Sequence, residues 1–293
     1  MPFFRVIGAF AALAFYPACT SVDQTTAVAA KPVAQAIVVT PKEVRPALPK
    51  ETQPVVYAES SMVIDAVTGR ILFQKNAYSE RAVASTQKLL TALIVTRSGP
   101  LSDEVIVEHS DTLVEPSKLY LKAGEKYTRQ ELLKALLVKS GNDVAMSLGR
   151  DIAGSKAEFA TLMNTTARSL GMSQSNFINP HGLTEEGQYS TARDISILAR
   201  QAYSHPFMRQ CMRIKSYTFK YPDGRTRVVN NTNKILSRLD YCDGMKTGTT
   251  RAAGRCLVSS GQLNGRAVIA VVLGSNSANV WDDSEKLLRW ALE

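Results

Sequence analysis

From Tyr57 to Glu293 the chain shows two blocks of strand-like alternation separated by a long helical middle, and this order limits the folds open to it. Ser61–Asp65, a Thr68-Gly69 turn and Arg70–Gln74 read as a β-hairpin. Thr128-x-x-Glu131 and Ser155-x-x-Glu158 are capping boxes ahead of apolar helical repeats, and Thr191-x-x-Asp194 opens a further helix. Strand patterns return at Ser216–Lys220, Thr226–Asn230, Met245–Thr249, Gly254–Ser260 and Ala267–Gly274, before a last helix from about Asp282. Strands at both ends with helices between predict an α/β (α+β) fold. Its antiparallel sheet is completed by the two chain ends and flanked by helices, with an all-α lobe inserted.

Upstream of this block the composition changes twice. Residues 1–18 carry one positive charge, Arg5, and an apolar run from Val6 to Tyr16 that is too short to span a bilayer. They read as an export signal. The small residue before Cys19 makes that cysteine the candidate lipid-attachment site and mature N-terminus, although Tyr16 stands where lipoprotein signals usually carry Leu. Residues 19–56 hold five of the twelve prolines and no glycine or aromatic residue. Such a segment buries too little apolar surface to fold, and reads as a disordered tether reaching on the order of 100 Å. Residues 57–293 are then one domain, placed by the signal in the bacterial envelope and by the lipid at a membrane.

The net charge of +9 reads as spread along the chain, with no nucleic-acid motif, which predicts weak attraction to anionic envelope polymers. After Cys19 only Cys211, Cys242 and Cys256 remain, allowing at most one internal bridge. Neither these cysteines nor the three histidines have metal-site spacing, so no metal or cofactor is expected.

Three short motifs carry chemistry. Ser85-x-x-Lys88 opens a helix continuing through Leu89, Leu90 and Leu93, and puts a hydroxyl and an amine on one helical face. A serine needs a base to become nucleophilic, and a lysine can be that base if burial or a second cation lowers its pKa. Ser140-Gly141-Asn142 falls at a junction between two helices, with Gly141 suited to the tight turn. Lys246-Thr247-Gly248 lies on a strand, where Lys246 and Thr247 address one cleft only across a bulge or twist. Gly248 leaves room for a ligand backbone against that strand. Each motif alone is commonplace: a helix cap, a junction, an edge strand with a solvated lysine.

In this order, however, Ser85-x-x-Lys88, Ser140-x-Asn142 and Lys246-Thr247-Gly248 resemble the signature of the penicillin-binding serine enzymes. Flanking stretches narrow the resemblance: Ile64-Asp65-Ala66-x-Thr68-Gly69, Asn179-Pro180-His181-Gly182-Leu183, Thr191-Ala192-Arg193-Asp194 and Gly244-Met245-Lys246-Thr247-Gly248-Thr249-Thr250. They are similar to the low-molecular-mass D-alanyl-D-alanine carboxypeptidases, serine peptidase family S11, across roughly residues 57–293. The resemblance implies the penicillin-binding-protein/β-lactamase-like transpeptidase fold. It also implies that Ser85 attacks the terminal D-alanyl-D-alanine bond of a peptidoglycan stem peptide. Lys88 is then the base and Ser140 the proton relay to the leaving amine. Asn142, Lys246, Thr247, Gly248 and Thr249 bind substrate, with the N–H groups of Ser85 and Thr249 holding the oxyanion. β-Lactam antibiotics are implied inhibitors.

Two departures stand out. Relatives often place an arginine in the loop after the last strand; here that loop has none, Trp281 stands near the expected place, and Arg251 is the candidate substitute. Many relatives also carry a second β-rich domain and a C-terminal amphipathic anchor, for which an N-terminal lipid would substitute. Three other readings share the motifs. A DD-endopeptidase differs only in substrate. A class A-like β-lactamase needs a deacylating glutamate, and Glu158, Glu185 and Glu186 lack its sequence context. An inactive wall-binding lipoprotein sits poorly with an intact motif set.

Overall fold

The computed structural model describes residues 52–293; the signal segment, Cys19 and the tether up to residue 51 lie outside them. Its first two strands, β1 (Ser60–Asp65) and β2 (Ile71–Lys75), form the expected hairpin. A 3-10 turn (Ala84–Gln87) leads into α1 (Lys88–Arg97). Then come β3 (Glu104–Ile106), β4 (Lys126–Thr128), α2 (Arg129–Val138), α3 (Asn142–Ala153), α4 (Lys156–Ser169), α5 (Ala192–Ser204) and α6 (Pro206–Met212). The chain finishes with β5 (Ser216–Lys220), β6 (Thr226–Asn230), α7 (Ile235–Arg238), β7 (Cys242–Thr250), β8 (Gly254–Leu263), β9 (Arg266–Ser275) and α8 (Val280–Leu292).

The sheet order is β2-β1-β9-β8-β7, every neighbour antiparallel, so the chain ends do complete one sheet around an inserted helical lobe. Alternation along β9 sorts its two faces. Val268, Ala270 and Val272 pack with Leu287 and Leu288 of α8, while Ile269, Val271 and Leu273 join the core of the helical lobe. α1 runs through that lobe with every residue from Lys88 to Val95 buried. A helix apolar on all sides belongs inside a protein, and truncating one such side chain, Leu90→Ala, costs roughly 2–5 kcal/mol. The Thr128, Ser155 and Thr191 caps each accept the N–H expected of them.

Two expectations change. β5 and β6 pair with each other and not with the main sheet, because Tyr217, Phe219 and Val229 turn inward against the lobe. The end of the assigned tether is also part of the domain. Val56 is buried at 4% exposure, Lys75 and Lys286 donate to the carbonyls of Val56 and Val55, and the Trp290 indole donates to that of Thr52. An apolar valine in the cluster that holds Leu72 and Phe73 is worth more inside the core than in water.

Candidate active site

Ser85 stands in the 3-10 turn ahead of α1 and not in the α-helix itself. The residue before it, Ala84, has φ +48°, a conformation that an L-residue adopts only when its surroundings impose it. The surroundings here are two glycine contacts. A Cβ on Gly182 (φ +89°) would lie 2.2 Å from the Ala84 carbonyl oxygen, and one on Gly248 would lie 2.8 Å from the Ser85 nitrogen. The close approach expected at Gly248 is therefore to the nucleophile's own backbone.

Lys88, fully buried on the first turn of α1, reaches Ser85 Oγ at 2.8 Å. It also donates to Asn142 Oδ1 at 2.6 Å and to the carbonyl of His181 at 2.7 Å. Both of these partners are pure acceptors. A neutral amine has two N–H bonds, so satisfying both acceptors leaves its lone pair for the serine hydroxyl. Burial is the main force holding Lys88 well below the ordinary lysine range, and the positive charge of Lys246 adds to it; Asp143 opposes both. Lys246 is itself brought down to about 7 by burial.

The Asn142 amide is oriented by its other end, since Nδ2 donates to the Pro116 carbonyl. Asn142 and Lys246, read from sequence as substrate-binding, are only 2% and 1% exposed and stand behind the cleft wall. No bulge lies at Lys246–Thr247: the register shift falls upstream, between Cys242 and Gly244, so the two residues keep alternating. Lys246 consequently reaches the interior beside Lys88, with Nζ donating to the Thr247 carbonyl.

The cleft, about 370 Å³, is lined by Ser85, Ser140, Thr247, Gly248 and Thr249 together with Ser117, Thr232 and Arg255. Ser140, not Gly141, takes the left-handed conformation at the α2–α3 junction, with φ +70°. A Cβ on Gly141 would instead crowd Asp143 Oδ1 at 2.8 Å. Thr247 Oγ1 donates to Thr232 Oγ1 at 2.6 Å. Two cations line the wall, Lys234 and, on β8, Arg255, and Arg255 donates to Thr249 Oγ1 and Ser277 Oγ, each at 3.1 Å. Arg251, the substitute expected from sequence, lines a separate hollow with Pro116 and Leu183. Among the described residues, none of Glu158, Glu185 and Glu186 lines the cleft. Cys256 does, but burial pushes its thiol up to about 11, and none of Cys211, Cys242 and Cys256 is bridged.

A cleft serine bonded to a buried lysine, flanked by a Ser-x-Asn junction and a Lys-Thr-Gly strand, is the geometry to set against known proteins. The family profile described as D-alanyl-D-alanine carboxypeptidase, peptidase S11, matches residues 48–277. The chain belongs to this family.

Among curated members, DacF of Bacillus subtilis is 33% identical over 226 residues, covering 75% of this chain and 58% of its own. DacC of Escherichia coli K12 is 33% identical over 246 residues, 80% of this chain and 60% of its own. This chain thus spans about three fifths of the length of these two relatives. Among solved structures, the Streptomyces K15 DD-transpeptidase superposes with a TM-score of 0.77 at 29% identity, covering 82% of this chain and 98% of that one. The DacD carboxypeptidase of Francisella tularensis gives 0.77 at 29%, with 88% and 75% covered. The family's penicillin-binding-protein/DD-peptidase fold is the one observed here.

Sequence reasoning missed one working part of this S11 site, the Asn179–Leu183 loop. Asn179 Oδ1 accepts the N–H groups of His181 and Gly182, and Thr91 Oγ1 donates to the Pro180 carbonyl. Together they aim the His181 carbonyl at Lys88. The imidazole of His181 is kept neutral by burial and by Lys88, its pKa lowered to about 3. The Asn-Pro-His-Gly text was legible; the role of one backbone carbonyl within it was not.

Proposed function

We propose that this protein is a serine D-alanyl-D-alanine carboxypeptidase that removes the terminal D-alanine from peptidoglycan stem peptides through an acyl-enzyme on Ser85. The observation that carries the reading is the Lys88 amine, buried, with both acceptors satisfied and its third direction on Ser85 Oγ at 2.8 Å. Neutral Lys88 takes the hydroxyl proton as Ser85 Oγ attacks the carbonyl of the penultimate D-alanine. The N–H groups of Ser85 and Thr249 receive the oxyanion, and the close packing that Gly248 permits supports their proximity. Ser140 passes a proton to the departing amine. Thr247, Thr249 and Arg255 receive the substrate carboxylate, while Lys246 acts from behind by holding down the pKa of Lys88 and Asn142 acts by holding its amine. Water then hydrolyses the acyl-enzyme. β-Lactams acylate the same serine and are inhibitors in this reading.

The same reading places the enzyme in the bacterial envelope, exported by residues 1–18 and lipid-anchored at Cys19 through the proline-rich tether. Mass spectrometry of the mature N-terminus tests the anchor: an unmodified terminus downstream of Cys19 removes it. The enzymatic reading is tested by digesting purified pentapeptide and cross-linked muropeptides. Release of free D-alanine from the pentapeptide, absent with Ser85→Ala, is the expected result. Cleavage of cross-links alone would make the protein an endopeptidase, and no product from either substrate would overturn the assignment.

A further inference from the structure

The positive charge is not spread along the chain as the sequence reading held. Between Arg213 and Arg238 there are seven basic residues and one acidic one, Asp223, so a short segment holds two thirds of the net charge of +9. The fold makes that segment a fixed platform. Tyr217, Phe219 and Val229 turn inward, the Phe219 ring lies 5.5 Å from Tyr127 and 5.0 Å from Tyr221, and the Tyr221 hydroxyl donates to the Leu119 carbonyl at 2.6 Å. Ser216, Thr218, Lys220, Thr226, Val228 and Asn230 are left facing water.

Some of the charge is spent within the protein. Arg225 pairs with Asp223 and Glu125, and Arg238 with Asp282 and Glu285. Among the described residues, no carboxylate pairs with Lys215, Lys220 or Arg227. The Arg227 guanidinium lies 5.3 Å from the ring of Tyr120, which is 61% exposed and held at φ +64° by its N–H bond to Asp143. A ring this exposed, with a cation over it, suits contact with a sugar ring or a peptide plane. The platform is also continuous with the cleft, for β6 runs directly into Asn231 and Thr232, and Thr232 touches Thr247.

We propose that the β5–β6 ribbon, with Tyr120, is the surface that holds an anionic glycopeptide wall polymer while Ser85 works on one of its peptide ends. The proposal rests on the carboxypeptidase reading, which supplies the polymer: a glycan whose successive stem peptides each end in a carboxylate. Charge complementarity selects it, and repetition of weak contacts along one strand converts them into retention. A membrane surface is the poorer occupant, because Val228 is the one large apolar side chain the ribbon exposes.

The test compares the full chain with a Lys215→Gln/Lys220→Gln/Arg227→Gln variant, measuring co-sedimentation with purified sacculi across a salt series and acylation by a fluorescent penicillin. Exposed cations each contribute little, so three together are expected to weaken retention about tenfold at low salt, with the difference vanishing as salt screens it. The acylation rate is expected to stay unchanged, which also certifies the fold. Equal retention of both proteins would overturn the proposal. So would binding of the unaltered chain to phosphatidylglycerol vesicles but not to sacculi, or a changed acylation rate, which would make the ribbon part of the cleft. Failure of the carboxypeptidase reading shows elsewhere, as an unaltered chain that releases no D-alanine and takes no penicillin label.

Discussion

Lys88 and Lys246 differ from Lys220 and Arg227 in everything but their formal charge. The first two are almost completely buried, and both are driven toward neutrality by loss of water. The second two lie on the β5–β6 ribbon, Lys220 exposed and Arg227 half-exposed. Buried, a cation becomes a base or a means of tuning one, and it costs stability because the ammonium has been stripped of its hydration. Exposed, it costs little, acts over a Debye length and answers to salt. In the proposed reading basic residues serve both ways, inside the protein on α1 and β7 and outside on the β5–β6 ribbon, and substitutions can separate the two uses.

The largest effect is expected from Lys88→Arg. A guanidinium cannot give up its proton near neutral pH, so acylation by penicillin should slow by on the order of 10²–10⁴ in a stopped-flow assay while thermal unfolding shows a folded protein. A slowdown of less than tenfold would place the base elsewhere and remove the buried half of the contrast. Gly182→Val comes next. Its side chain would collide with the Ala84 carbonyl, displacing both the nucleophile and the His181 carbonyl that holds Lys88. Acylation at least about 100-fold slower is expected, with a stability loss of roughly 2–4 kcal/mol by denaturant titration. Near-normal kinetics would show that the loop is scaffolding only.

Lys246 sharpens the comparison because its two effects oppose one another. Lys246→Gln removes a positive charge beside Lys88, so the pKa of Lys88 should rise and the acid limb of the acylation profile should move to higher pH. Lys246→Met should meanwhile stabilise the fold by roughly 1–4 kcal/mol at pH 7. The sign follows from linkage. With a folded pKa near 7 against 10.5 unfolded, the unfolded chain binds the extra proton between those values, so the unaltered protein gains stability as pH rises through that window. The advantage of Lys246→Met should therefore shrink toward pH 10, and a pH-independent difference would show that Lys246 is not the desolvated cation described here. The smallest effect is expected from Arg255→Gln, a change on the exposed side of the cleft. It should raise KM for a D-alanyl-D-alanine peptide about tenfold with kcat nearly unchanged, in line with one charge-assisted hydrogen bond. An unchanged KM would mean that Arg255 serves only Thr249 and Ser277.

The alternation of apolar and polar residues made the sheet legible, and the Thr128, Ser155 and Thr191 boxes marked their helices, because both signals are local. The pairing of β5 with β6 alone was not legible, since a strand pattern does not name its partner and the decisive contacts of Phe219 are with Tyr127, far away in sequence. Motif text names Ser85, Lys88 and Lys246 but not their depth: nothing in Lys-Thr-Gly says that the lysine is buried while Lys234 and Arg255 line the cleft. Asn142 was read as a substrate ligand for a related reason. Its spacing from Ser140 is visible in the sequence, whereas its bond to Lys88 exists only once α1 and α3 pack together.

The central claim is that Lys88 reacts as a neutral amine in a buried pocket. The pH dependence of Ser85 acylation by penicillin, followed by intact-protein mass with the adduct mapped to the Ser85 peptide, tests it most directly. The account predicts an adduct on Ser85 and an acid limb lying far below 10.5. An acid limb near the ordinary lysine range, or an adduct on any other residue, would contradict it.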